Sequence, residues 1–200
     1  MLFDKIKSKR KGKCMSNINA KFYIPLVSLL GVFIYLLNCF NKISQCSLVF
    51  VFLAITTNII SELYGTKRAL IAVALCIIVS FGLLWNFNYY IHGRVIKGVV
   101  FASFVSVLLS TYCSTSIFSQ LKPRCSLNTR NFASLIMCAV VDGIVMSGFF
   151  VNVFSTSKVL SIFYKEVLYK CAYSLTVYIC IFLVQKVYGN NGSVRALKNF

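Results

Sequence analysis

Six long apolar stretches follow one another along the chain, at about 22–40, 47–64, 68–86, 98–119, 131–154 and 161–187. Each is close to the roughly 20 residues that a helix needs to cross the hydrocarbon of a bilayer. Short polar or basic segments separate them. The pattern predicts an all-α polytopic membrane protein with six transmembrane helices. The second and third stretches are nearly continuous. They meet at Tyr64-Gly65-Thr66-Lys67, where Gly65 is expected to cap the end of one helix and Thr66 the start of the next.

Composition agrees with this pattern. Of 200 residues, 58% are hydrophobic and 12% charged, and mean hydropathy is +0.80. A soluble domain carries about 25% charged residues, so the apolar surplus calls for lipid as solvent. Lys and Arg number 21 against 4 Asp and Glu, giving a net charge of +17. The basic residues sit between and outside the apolar runs, which argues for membrane topology rather than nucleic-acid binding. The segments expected on one side of the bilayer hold fifteen of them: the N-terminal tail, Lys67 and Arg68, Lys122 to Arg130, and the C-terminal end. The opposite side holds five: Lys42, Arg94, Lys97, Lys158 and Lys165. That bias predicts both termini in the cytoplasm, with a basic tail over 1–21, a transmembrane domain over 22–187 and a short C-terminal tail over 188–200. The first apolar run lacks an A-x-A cleavage site after it and reads as an uncleaved membrane helix.

Chemistry is sparse. The nine cysteines have irregular spacing without a Cys-x-x-Cys pair, and His92, expected in an outer loop, is the single histidine. A metal site or a disulfide framework lacks support. There is neither a nucleophile–histidine set nor a phosphate-binding P-loop, so no cofactor is expected and an enzyme is disfavoured.

Polar groups inside the apolar runs are costly and therefore informative. Glu62 lies near the end of the second run, with Asn58 four residues earlier on the same helical face. Asp142 sits near the middle of the fifth run. Lys170 lies several residues into the sixth, at a depth that could match Asp142. Two readings follow. Asp142 could pair with Lys170, and Glu62 with Lys67 or Arg68, as structural ion pairs. Alternatively these groups recognise a substrate. In the fourth run Ala102, Ser106, Ser110 and Ser114 recur every four residues, a narrow face of small side chains expected to pack against another helix. A homo-oligomer is compatible with the sequence.

The segment 57–69, TNIISELYGTKRA, carries a motif that resembles the queuosine precursor transporter family, also described as vitamin uptake transporter-like. The resemblance continues at Ala102, Ser103, Ser106, Leu108 and Leu109, at Arg130, Asn131, Ser134, Val141 and Asp142, and at Lys170, spanning about 48–185. The chain departs from the family pattern at Asn58, where an aspartate is usual, and at Thr111, Ser114, Cys138 and Ala139. The resemblance implies a multi-pass protein of a bacterial inner membrane that imports a 7-deazaguanine base. It implies substrate contacts from Asn58, Glu62, Asn131, Ser134, Asp142 and Lys170, with Arg130 nearer the boundary as a gate or anchor. Two alternatives remain from the residues themselves. One is a substrate-capture subunit of a multi-component vitamin importer, although the first helix lacks the Ala-x-x-x-Ala spacing such subunits use for docking. The other is a structural membrane protein that transports nothing.

Overall fold

The computed structural model describes residues 22–40, 42–84, 90–91, 94–95 and 98–189. Among the described residues, six helices carry the fold: α1 (Phe22–Cys39), α2 (Ile43–Tyr64), α3 (Thr66–Leu84), α4 (Val99–Gln120), α5 (Leu127–Phe150) and α6 (Thr156–Gly189). A two-stranded antiparallel ribbon, β1 (Tyr90–Ile91) and β2 (Arg94–Val95), lies between α3 and α4, with Tyr90 opposite Val95. All six helices are long and apolar enough to cross a membrane. The basic tail over 1–21, residues 190–200 and His92 lie outside the described residues.

The helix boundaries differ from the hydropathy pattern where local chemistry, not apolarity, sets the end. The fifth apolar run starts at 131, yet α5 starts at Leu127. Ser126 caps it by accepting the Thr129 N–H at 3.4 Å, so Asn128, Thr129 and Arg130 become helical despite their polarity. Helix α6 begins at Thr156, five residues before the apolar run, and has 34 residues. At about 1.5 Å per residue it exceeds the roughly 30 Å hydrocarbon layer, so it is tilted or emerges from it.

Helix α2 is the central element, packed against α3, α4, α5 and α6. Phe50, Leu53 and Ile60 of α2 form the core with Leu30 and Ile34 of α1, Val73 of α3, Phe104 and Val107 of α4, and Leu135 of α5. The outward faces carry exposed apolar side chains such as Ile78, Leu83, Leu168 and Phe182, suited to contact with lipid tails. Many buried hydroxyls turn back onto their own helix. Thr57 donates to the Leu53 carbonyl at 2.9 Å, Thr111 to Val107 at 2.6 Å and Thr115 to Thr111 at 2.8 Å. This satisfies the hydroxyl where no water can, and it occupies the proton of Thr111 within its own helix.

The α2–α3 hairpin turns at a single residue. Gly65 has φ 91° and ψ 152°, and its N–H bonds the Ser61 carbonyl at 3.0 Å. The expectation that Thr66 caps α3 is corrected. Thr66 is already the first helical residue, and its Oγ1 lies 3.2 Å from Ser61 Oγ across the turn. Only glycine occupies this backbone region freely, so Gly65→Ala is expected to lower the unfolding free energy by about 1–3 kcal/mol. Thermal unfolding of the purified protein checks this, and an unchanged melting temperature would contradict it.

Candidate functional site

Two polar clusters lie inside the helical layer, toward opposite ends. The first is built on α5 and α6. Asp142 and Lys170 are 4% and 1% exposed. Lys170 Nζ pairs with Asp142 Oδ2 and also with Glu166 Oε1 at 2.5 Å, one helical turn earlier on α6. Ser106 of α4 donates to Asp142 Oδ1 at 2.5 Å, and its oxygen lies 3.1 Å from the Asp142 carbonyl oxygen. The ammonium stands 4.2 Å from the centroid of the Phe50 ring of α2, close enough for a favourable cation–π contact. Four helices thus hold one lysine between two carboxylates.

Gly143 makes this approach of α5 and α6 feasible. A Cβ there would stand 2.9 Å from Val167 Cγ2 and 3.0 Å from Phe163 Cε2. Val167 is stiff at χ1 in a helix, so even a methyl group would force the helices apart. Asp142, Glu166 and Lys170 line a cavity of about 470 Å³, together with Asn38, Ser103 and the exposed Lys158 and Lys165. That volume falls within the range of about 300–1,000 Å³ usual for small-molecule sites.

The second cluster lies toward the Gly65 turn. Asn58 Nδ2 donates to Asn131 Oδ1 and to Ser134 Oγ, both at 2.7 Å. Ser134 in turn donates to the Asn131 carbonyl at 2.8 Å. One turn further on, Glu62 Oε2 meets Arg130 Nη1 at 3.1 Å and Oε1 meets Lys122 Nζ at 3.2 Å. The Arg130 guanidinium also lies 4.6 Å from the centroid of the Phe118 ring. A cavity of about 250 Å³ opens beside Asn58, Glu62, Asn128 and Asn131.

The profile of the family described as "Putative vitamin uptake transporter" matches residues 45–184. The chain belongs to this family. The vitamin uptake transporter family includes the queuosine precursor transporters. No curated protein and no solved structure matches the chain. The matched region of this vitamin uptake transporter homologue runs from α2 to α6 and contains both clusters. The chain is a multi-pass membrane protein with six candidate spans.

The six residues expected at one site are divided by the fold. Asp142 and Lys170 meet in the larger cavity, while Asn58, Asn131 and Ser134 meet eight or more residues away along α5, about 12 Å at helical rise. Glu62 sides with the second group. Its expected partners, Lys67 and Arg68, are both exposed in the first turn of α3. Arg130, 68 residues away, takes their place because α5 starts early enough to bury it against α2. The small-residue face of α4, Ala102, Ser106, Ser110 and Ser114, is buried. It belongs to the helix most extensively packed against α5. Among the described residues, the eight cysteines are free.

Glu166 is the residue that sequence reasoning passed over. It stands beside Lys165, at what hydropathy marks as the edge of the last span. The available signal is its spacing of four residues from Lys170, which puts both on one helical face.

Proposed function

We propose that the protein is a secondary transporter that imports a queuosine precursor across a bacterial inner membrane. The cargo is a 7-deazaguanine, the 7-cyano or 7-aminomethyl base or queuine. The observation that carries this reading is the pair Asp142–Lys170 with Glu166, buried between four helices yet lining a 470 Å³ cavity. Burying charges only to hold helices together gains little, since desolvation offsets most of the Coulomb attraction. A recognition site uses the same charges to advantage.

The chemistry matches a guanine-like edge. Its ring N–H and exocyclic amine donate side by side, and a carboxylate accepts two such bonds at once. Its carbonyl oxygen needs a donor, which the Lys170 ammonium supplies. Glu166 keeps the lysine partnered while Asp142 turns to the base. Phe150, on the cavity wall, offers a flat apolar face for the ring.

Under this reading the Gly65 turn faces the cytoplasm, as do the tails over 1–21 and 188–200, and the Asp142 cavity opens outward. Transport needs no enzymatic step and no cofactor. The protein acts alone or as a homo-oligomer.

Uptake into liposomes containing only the purified chain tests the proposal. Radiolabelled 7-cyano-7-deazaguanine is expected to enter well above protein-free controls. Expression in a bacterium unable to make or import queuosine precursors is expected to restore queuosine in tRNA. Restoration in cells without uptake in liposomes would assign the chain to a multi-component importer. Failure of all three bases in both assays would overturn the proposal.

A further inference from the structure

The larger cavity holds more negative charge than the ion pairs on its wall balance. Asp142 and Glu166 set two carboxylates against the single ammonium of Lys170, which leaves one negative charge over. An unbalanced charge inside the helical layer is costly, and a bound cation removes that cost. Lys158 and Lys165 also line the cavity, but both are exposed. Their charges reach water, where salt screens them, and Lys158 lies 4.6 Å from the centroid of the Phe154 ring.

An acceptor from a different helix opens on the same space. Asn38, in the last turn of α1, is 3% exposed and lines the cavity. Its Nδ2 donates to the Ile34 carbonyl at 3.0 Å. Its Oδ1 has no partner among the described residues. That oxygen is not enclosed, unlike those of Asn58 and Asn128, so it keeps surface toward the cavity. The Cys46 thiol, on the same lining, fixes this end of α1 by donating to the Leu37 and Phe40 carbonyls at 3.9 and 3.2 Å. Glu166 also has an oxygen to spare. Lys170 engages Oε1 alone, and the side chain is 17% exposed. A carboxylate oxygen and an amide oxygen on one cavity are acceptors suited to an ammonium group.

We infer that Glu166 and Asn38 form a cation subsite within the larger cavity, for a protonated amine carried by the cargo. This rests on the transport reading and narrows it to bases with an amine on the 7-substituent. In a 7-deazaguanine that substituent projects on the same side as the ring carbonyl. With the carbonyl on Lys170, the amine falls toward Glu166, one helical turn away and about 6 Å along α6. The neutral 7-cyano base offers no donor there and leaves the charge unbalanced, so it is the weaker cargo. Asn38 precedes the region that the family profile matches, so part of the selectivity comes from α1, outside that region.

Equilibrium binding of radiolabelled 7-aminomethyl- and 7-cyano-7-deazaguanine to the purified full chain in lipid nanodiscs, in sodium and in choline buffer, tests this. The aminomethyl base is expected to bind about tenfold more tightly or better, the size of one charged hydrogen bond. Glu166→Gln is expected to bring the ratio of the two affinities close to one, and Asn38→Leu to lower it severalfold. A merely structural role weakens both bases alike, and an unchanged ratio in both variants would overturn the subsite. Should Glu166→Gln fail to fold, the ratio in Asn38→Leu decides. Cyano-base binding strengthened by sodium, with no preference for the amine, would assign the subsite to a metal ion and overturn the ammonium. Equal affinities in the wild type in both buffers, with uptake of both bases, overturn the subsite and leave the transport reading intact. A preference for the amine without uptake upholds the subsite and removes transport. Neither binding nor uptake overturns both.

Discussion

Lys170→Met is expected to bring uptake to background and to lower the unfolding free energy by about 3–5 kcal/mol, the usual cost of removing one partner from a buried ion pair. The geometry makes this site a severe case. Lys170 is the single cation facing Asp142 and Glu166 among their described ion-pair partners. Its loss leaves two carboxylates facing each other, and the Phe50 ring loses its cation. Methionine fills the volume, so packing alone does not account for the loss. A triple variant, Lys170→Met with Asp142→Asn and Glu166→Gln, carries no charge at the site and is expected to regain most of the stability. It is not expected to regain uptake. Thermal unfolding and initial uptake rates of the single and triple variants check both halves. A single variant as stable as wild type would show that the three groups are not energetically joined.

The six helices were legible because apolar run length is a local property and lipid demands it of every span. The Gly65 turn was legible for a similar reason, since glycine between two apolar runs has one economical use there. The sites were legible only in part. Asp142 and Lys170 could be matched by depth because α5 and α6 are consecutive. Glu62 could not be matched to Arg130 and Lys122, because nothing in the spacing of residues 60 to 68 apart reveals that α2 packs against the start of α5 and the turn before it. Glu166 was obscured by a boundary effect, because the apolar run is shorter than α6. Hydropathy begins the span at 161 and leaves residue 166 near its margin. The helix begins at Thr156 and carries Glu166 into its third turn, beside the core. The division of the polar residues into two clusters was beyond reach from pattern, since Ser134 and Asp142 share a helix and differ only in depth.

Asp142→Asn separates a structural pair from a recognition site. Asparagine keeps the shape of aspartate and still offers an oxygen to Ser106. Lys170 retains Glu166 one turn away, and the local charge changes from net negative to balanced. The cost to stability is therefore expected to be about 1.5–3 kcal/mol, that of one hydrogen bond to a charged group and less than for Lys170→Met. The effect on uptake is expected to be larger. The second oxygen of the carboxylate becomes an NH2 group, a donor set against the N–H edge of the base. The lost charged hydrogen bond and the opposed donors are expected to lower initial uptake about 10- to 100-fold. Measuring melting temperature and uptake on the same preparation gives the decisive comparison. If Asp142→Asn lost stability as heavily as Lys170→Met and uptake fell only with the amount of folded protein, the pair would be a structural tie. If stability held while uptake fell, Asp142 would be reading the cargo, with Glu166 keeping Lys170 in place while it does so.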